Sequence, residues 1–275
     1  MHIPVLKKEV LEQIEKNNNY IDTTFGQGGH GKEILQKILP KGKLLAIERD
    51  EVLYQQGLKM RLPGLILYND SYSRIKEIVQ ETNFVNITGI LFDLGFCTFH
   101  IKESKRGFSF LNDESLDMRY SSKDSLTAKK IVNQWRLEDI EKILKDYGEE
   151  KYAKKIALSI IKQRKEKEIQ TTFDLIQVIK KAVPYQKSKI HFATRTFQAL
   201  RIAVNNELDN LQKGLEQAYK ILDKKGKIMV ISFHSLEDRI VKNFFKKSYL
   251  ILPSQEEIKN NKLARSAKLR IGIKT

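Results

Sequence analysis

Tyr20-Ile-Asp-Thr-Thr-Phe-Gly-Gln-Gly-Gly-His-Gly31 gathers four of the chain's fourteen glycines into six residues. The β-branched and aromatic stretch Tyr20 to Phe25 predicts a strand, and Lys32 to Leu39 sets Ile34, Leu35, Ile38 and Leu39 at helical spacing. Strand, glycine turn and helix together bring bare backbone of an α/β sheet against a nucleotide-like ligand. A second apolar strand, Lys43 to Ile47, ends in Glu48, placed to accept hydrogen bonds from both hydroxyls of a ribose. Gly26, Gly28 and Gly31 fit G-x-G-x-x-G. That pattern does not separate a dinucleotide from S-adenosylmethionine, since both carry adenosine.

Further strands are predicted at Leu65 to Tyr68, ending at Asn69-Asp70, and at Ile87 to Phe92, ending at Asp93, with a helical stretch Tyr72 to Gln80 between them. Strands alternating with helices predict a parallel, doubly wound sheet. Ligands of such sheets lie beyond the carboxyl ends of the strands, where Glu48, Asp70, Asp93 and the loop after Phe25 fall. Upstream, Pro4 suits the first turn of a helix with Val5, Leu6, Val10 and Ile14 on its apolar face. Between Ser104 and Lys189 no strand is predicted; helices are expected at Leu126–Trp135, Leu137–Asp146, Glu149–Lys165 and Phe173–Val183, the last capped by Thr172. The domain organisation is therefore an α/β domain of residues 1–103 and 190–275 with an inserted helical subdomain, 104–189. The α/β rhythm resumes with an amphipathic Glu207 to Leu222, a strand Lys227 to Phe233, a helix Arg239–Phe245 and a last strand Ala267 to Ile273.

The 275 residues hold 50 Lys and Arg against 34 Asp and Glu, a formal charge of +16, which attracts polyanions and points to nucleic acid. The expected helix from Glu149 carries Lys151, Lys154, Lys155, Lys162, Arg164, Lys165 and Lys167, which reads either as a solvated face or as a track for phosphates. Cys97 is the only cysteine, so no internal disulfide or multi-cysteine zinc site is available, and a reducing, cytoplasmic setting is expected. No metal is expected, since no His/Cys/Asp cluster shows ligand spacing. No run of ~18 apolar residues predicts a transmembrane helix, and Met1 to Glu9 has no apolar core of a secretory signal.

Several segments together resemble the bacterial methyltransferases that modify N4 of a cytosine in 16S ribosomal RNA. They are Thr24-Phe-Gly-Gln-Gly-Gly-His30, Asp93-Leu-Gly95, Arg106-Gly-Phe-Ser-Phe110, Leu116-Asp-Met-Arg119, Tyr147-Gly-Glu-Glu150, Ala193-Thr-Arg-Thr-Phe-Gln-Ala199, Ile231-Ser-Phe-His-Ser-Leu-Glu-Asp-Arg239 and Ala264-Arg-Ser-Ala-Lys-Leu-Arg270. They span nearly the whole chain in the family's order. The resemblance implies a class I S-adenosylmethionine-dependent methyltransferase fold (Rossmann-like) with a helical substrate-recognition insertion. Its implied substrate is 16S rRNA within the small ribosomal subunit. It further implies that Gly28, Gly29 and His30 wrap the methionine end of the cofactor, that Glu48 holds the ribose, that Tyr72 lies against the adenine, and that Asp93 closes the site. His100 stands where the family has a cofactor-contacting Gln. The chain departs from the family at Phe96-Cys-Thr-Phe-His100, where Val-Ser-Ser-Pro-Gln is usual, and lacks one arginine before Arg265.

Cytosine N4 is a poor nucleophile, because its lone pair is delocalised into the ring. Asp93, after the fourth strand, is the candidate group to position that amine or the cofactor's ammonium; a cofactor contact alone is the other reading. Arg119, Arg195, Arg201, His234 and Arg265 are candidate RNA contacts. Each has a structural alternative: Arg119 can pair with Asp117, Phe197 between Arg195 and Arg201 can be core, and His234 can be a hydrogen-bonding loop residue. Two other functions fit parts of the pattern. One is a nicotinamide or flavin oxidoreductase, which leaves the basic charge unexplained; the other is a non-catalytic RNA-binding assembly factor on a methyltransferase scaffold.

Overall fold

A computed structural model describes residues 4–184 and 190–275. Residues 1–3, inside the segment expected to start at 1, and 185–189, including the expected end of the insertion at Lys189, lie outside the described residues. The chain divides into two compact units, Met1–Gly95 with Leu208–Thr275, and Phe96–Glu207.

The first unit is built on a sheet of seven strands. Five are parallel: β1 (Asn19–Asp22), β2 (Leu44–Ile47), β3 (Leu65–Tyr68), β4 (Ile87–Asp93) and β5 (Lys227–Ser232). The remaining two are β6 (Tyr249–Ile251) and β7 (Lys268–Ile273), and the spatial order is β3-β2-β1-β4-β5-β7-β6. The all-parallel expectation is corrected at this edge: β7 runs antiparallel to both β5 and β6. After β5 the chain crosses over to the sheet edge as β6 and then returns into the gap, so β7 must run the other way. The short β6 was not anticipated; Tyr249 and Leu250 are exposed, so it shows no one-sided apolar alternation.

Alternation of side chains sorts the strands onto two cores. Ile21, Ile90, Phe92, Ile228 and Val230 face one side; Tyr20, Leu91, Met229, Ile231 and Leu269 face the other. The helices are α1 (Lys7–Glu12), α2 (Gly29–Ile38), α3 (Glu51–Lys59) and α4 (Ile75–Glu81) in the N-terminal part. The second unit contains α5 (Thr98–Lys102), α6 (Ala128–Gln134), α7 (Leu137–Asp146), α8 (Ala153–Glu166), α9 (Thr172–Ala182) and α10 (Thr194–Asn205). Then follow α11 (Glu207–Ile221), α12 (Ser235–Phe244) and α13 (Gln255–Asn260). Ile75 and Ile78 of α4, Leu211 and Leu215 of α11 and Val241 of α12 cover the first face. Val10 of α1 and Ile34, Leu35 and Ile38 of α2 cover the second.

The N-terminal helix starts later than Pro4 suggests: Leu6 takes a left-handed conformation (φ 54°), held by its N–H donating to Glu257 Oε1 at 2.6 Å. The cap of α9 is Thr171, whose hydroxyl accepts from the Asp174 N–H, and not Thr172, whose hydroxyl donates to the Asn112 carbonyl at 2.7 Å.

The second unit, Phe96–Glu207, extends beyond the 104–189 expected from sequence. Phe197, Ala199, Leu200 and Val204 of α10 bury in the same core as Ile140 and Leu144 of α7 and Ile131 of α6. Helical periodicity reveals that α10 has an apolar face but not which core it joins. Among the described residues no helix is long and apolar enough to cross a membrane.

Candidate functional site

The strand order reverses between β1 and β4: the chain moves outward through β2 and β3, then returns to the opposite side of β1. The carboxyl ends of two such neighbours diverge into separate loops and leave a crevice. Asp22 is the last residue of β1 and Asp93 the last of β4. Thr23 and Thr24 tie the two ends together. The Thr23 N–H and hydroxyl both donate to the Leu91 carbonyl at 2.9 Å, and the Asp93 N–H donates to Thr24 Oγ1 at 2.8 Å.

The glycine loop closes over this crevice in a conformation that only glycine tolerates well. Gly28 has φ 77°, the left-handed region, and caps α2 without a side chain. A Cβ on Gly31 would lie 2.6 Å from the Phe25 ring and 3.3 Å from Asp22 Oδ2. The first turn of α2 therefore brings its amides beside bare backbone, an arrangement suited to a carboxylate or phosphate. His30, on that turn, is buried, with Nε2 3.7 Å from Asp93 Oδ2.

Glu48 follows β2 and is also buried. Its Oε2 accepts from the Gly26 N–H at 2.6 Å and its Oε1 from the Asp50 N–H at 2.7 Å, so both oxygens are oriented by backbone. Burial pushes the Glu48 carboxyl up to about 7, against the lowering effect of those two bonds. Burial likewise pushes Asp22 up to about 6. Asp93 rises to about 8, through burial first and then the negative charges of Asp22 and Glu237. Glu237, in the first turn of α12, accepts from the Phe233 N–H at 2.8 Å. Tyr72 meets the Phe92 ring edge-on at 5.5 Å, and a Cβ on Gly214 would come within 2.8 Å of its ring. Asp70 is engaged by Arg74 at 2.6 Å and by the Ser71 N–H.

Among the described residues three buried carboxylate oxygens have no hydrogen-bond partner, Glu77 Oε2 and, at the ends of β1 and β4, Asp22 Oδ2 and Asp93 Oδ1. Leaving such atoms unsatisfied costs roughly 1–3 kcal/mol each. A cationic ligand with N–H donors would satisfy the two at the strand ends, and S-adenosylmethionine, with its ammonium and sulfonium, has that chemistry. The oriented Glu48 carboxylate and the held Tyr72 ring suit its ribose and adenine. The residues fit the cofactor.

The first unit thus brings together Gly28, Gly29, His30, Glu48, Tyr72 and Asp93 of the residues singled out from sequence. Asp22 and Glu237 were missed as members of the charge cluster. His100 belongs to the second unit, where it is buried among Phe99, Phe108 and Tyr120, with Nδ1 3.3 Å from the Cys97 N–H.

The RNA candidates divide by availability. Arg201 is corrected from a surface contact to an internal ion: it is buried, donates to both oxygens of Glu207 at 2.9 and 2.8 Å, and lies 4.8 Å from the Phe96 ring centroid. Arg119 spends its guanidinium on Asp117 at 2.7 Å and on the Ser122 and Asp124 carbonyls. His234 caps α12, its Nδ1 accepting from the Glu237 N–H at 3.4 Å and its Nε2 lying 3.2 Å from Glu237 Oε1. Arg195 donates to the Glu149 carbonyl at 2.7 Å, and Arg265 is exposed. Phe197 is core.

The sequence profile of the MraW methylase family matches residues 1–250. Curated relatives carry the name "Ribosomal RNA small subunit methyltransferase H". That of Dictyoglomus thermophilum is 45% identical, covering 99% of this chain and 96% of its own length. That of Sulfurihydrogenibium is 46% identical, covering 98% of each chain. That of Thermosipho melanesiensis is 45% identical, covering 98% of this chain and 96% of its own.

Proposed function

Because the chain belongs to the MraW methylase family, we propose that it transfers a methyl group from S-adenosylmethionine to the N4 amine of a cytidine in 16S ribosomal RNA, as part of the small subunit. The observation that carries this reading is the pair of unsatisfied carboxylate oxygens of Asp22 and Asp93 at the β1/β4 reversal, beside the glycine loop.

When bound, S-adenosylmethionine supplies an electrophilic methyl group on a sulfonium. The chain's residues hold and align the reactants. Gly28, Gly29 and His30 would enclose the methionine end, Asp22 would accept from its ammonium, Glu48 would accept from the ribose hydroxyls and Tyr72 would lie against the adenine. Asp93 accepts from the exocyclic amine of the target base. That draws the nitrogen lone pair out of conjugation and gives the departing proton a destination. Burial and the neighbouring acids hold Asp93 up at about 8, and the positive charge of a bound cofactor would favour its ionised, accepting form. Fixing amine, methyl carbon and leaving group in line accounts for most of what the protein must do. The base has to be unstacked or already single-stranded to enter such a pocket. Arg195 and the exposed Arg265 contact the RNA.

The test supplies methyl-labelled S-adenosylmethionine with unmodified small subunits and, in parallel, naked 16S rRNA, then separates the digested nucleosides. Label in N4-methylcytidine at one position supports the reading, and the better of the two substrates identifies the form acted on. Label in another nucleoside overturns the base assignment. Absence of label with cofactor bound points to the non-catalytic assembly-factor role instead.

A further inference from the structure

The second unit carries a stripe of unpaired lysines. In α8, Ala153, Ile156, Ala157 and Ile160 are buried. At roughly 100° per residue, Lys154, Lys155, Lys162 and Lys165 fall within an arc of about 100° on the opposite side, and Lys151 stands in the turn just before the helix. All five are exposed. With a rise of about 1.5 Å per residue the four lysines within the helix run roughly 16 Å. Two other cations of this unit are matched by acids: Lys129 pairs with Glu168 at 3.3 Å and Arg136 with Asp139 at 2.8 Å. Among the described residues none of the five stripe lysines forms an ion pair, and Lys155 makes only a long approach, 5.8 Å, to the Tyr152 ring. From α9, Lys181 reaches Gln163 of α8 at 3.4 Å, and Lys180 beside it is exposed, so the positive surface broadens sideways. Glu166 is the acid at its edge.

Four like charges on one helix face, with a fifth in the turn before it, repel one another, and a solvated face ordinarily intersperses acids to relieve this. A row of unneutralised ammonium groups instead matches a row of phosphates, whose counterions it displaces on binding. A bilayer is a poorer match. Leu158 is the one large apolar side chain exposed in α8, whereas a helix that lies in a membrane interface presents a continuous apolar face.

We propose that the α8 stripe is an RNA-docking surface, on which Lys151, Lys154, Lys155, Lys162 and Lys165 grip the phosphate backbone of the rRNA substrate away from the base that is methylated. This rests on the rRNA-methylation reading above. It assigns to the second unit a sequence-independent grip, with base choice left to the site.

The test replaces all five lysines by glutamine in the full-length chain, and by arginine in a second variant. Binding to unmodified 16S rRNA is measured across a KCl series, together with the KM for rRNA and the affinity for S-adenosylmethionine. For the glutamine variant, the slope of log affinity against log salt should become shallower by about 3.5 to 4.5, near 0.7–0.9 per lost phosphate contact. Its KM should rise at least tenfold, with cofactor affinity unchanged, and the arginine variant should bind as the parent does. An unaltered salt slope and KM in a glutamine variant of a parent that methylates rRNA would overturn the docking surface alone. Failure of the unsubstituted chain to methylate any rRNA would overturn the reading beneath it. Anionic phospholipid vesicles serve as the competing probe. If they bind the parent, release the glutamine variant and leave rRNA binding untouched, the stripe belongs to a membrane surface.

Discussion

Each unit holds a cluster of buried charge at its centre of interest, and these two clusters are handled in opposite ways. In the first, Asp22 and Asp93 end adjoining strands with carboxylate oxygens that no other described residue satisfies, and the negative charge of Glu237 adds to the crowding. In the second, the buried charge is closed on itself: Arg201 takes both oxygens of Glu207, and Asn205 donates to the Met118 and Arg201 carbonyls and accepts from the Tyr120 N–H. Its surplus cations are outside, along α8. Folding alone explains the second pattern. The first is costly for folding and becomes intelligible only with a cationic ligand at the crevice.

The strongest way to break this contrast is Asp93→Ala. If Asp93 receives the amine's hydrogen bond, turnover should fall by about 10²–10⁴-fold, the usual range for losing a positioned acid–base group. The ligand-free fold should lose nothing, because the substitution removes a strained carboxylate. Single-turnover methylation with saturating cofactor, paired with thermal unfolding, reads both. A variant with full turnover would leave Asp93 a cofactor contact only.

The converse holds in the second unit. Glu207→Gln should destabilise it by about 3–5 kcal/mol, since Arg201 is left buried without its counter-charge. Replacing both together, as Arg201→Met with Glu207→Leu, should recover most of that loss. Urea unfolding followed by Trp135 fluorescence reports on this unit, because Trp135 packs against its core. If the single and double variants are equally destabilised, the pair is holding more than itself.

How much of this was legible in the sequence follows from how local each feature is. Glycine loop, Glu48 and Asp93 were readable because strand ends and turns are set by residues a few positions apart. Asp22 was not, because the predicted strand ran on to Phe25 while β1 stops at Asp22. An acid in an otherwise apolar stretch was the available signal. Glu237 lay among residues noted around His234, but its charge matters only through a neighbour 144 positions away, Asp93, which topology alone supplies. For the same reason Arg201 read as a surface cation: its partner Glu207 lies beyond the end of α10 and turns back onto it. The edge strand β6 is three exposed-to-partly-exposed residues long, too short for periodicity to register. The lysines of α8 were visible as a run; that they share one face follows from spacing, and that they lack acidic partners required the fold.

The mildest test sharpens the first unit's side of the comparison by titration. Asp93 has a folded-state value near 8, raised from 3.8, so its protonated form contributes stability that is complete below about 4 and is lost as pH rises through about 8. Asp22 and Glu48, raised to about 6 and about 7, act in the same direction. Melting temperature of the ligand-free chain should therefore fall between pH 5 and pH 8. Asp93→Asn, which cannot ionise, should fall less and end higher at pH 8. A bound cation prefers the ionised carboxylates, so affinity for S-adenosylmethionine should move the opposite way. It should weaken by up to about tenfold for each pH unit below 8 as Asp93 takes up its proton. S-adenosylhomocysteine lacks the sulfonium charge and should show a shallower dependence if Asp93 senses the sulfonium. Equal slopes for the two ligands would place the sensed charge at the ammonium they share. A flat profile for both would mean that Asp22 and Asp93 do not receive the cofactor's positive charge, and that the crevice between β1 and β4 holds something else.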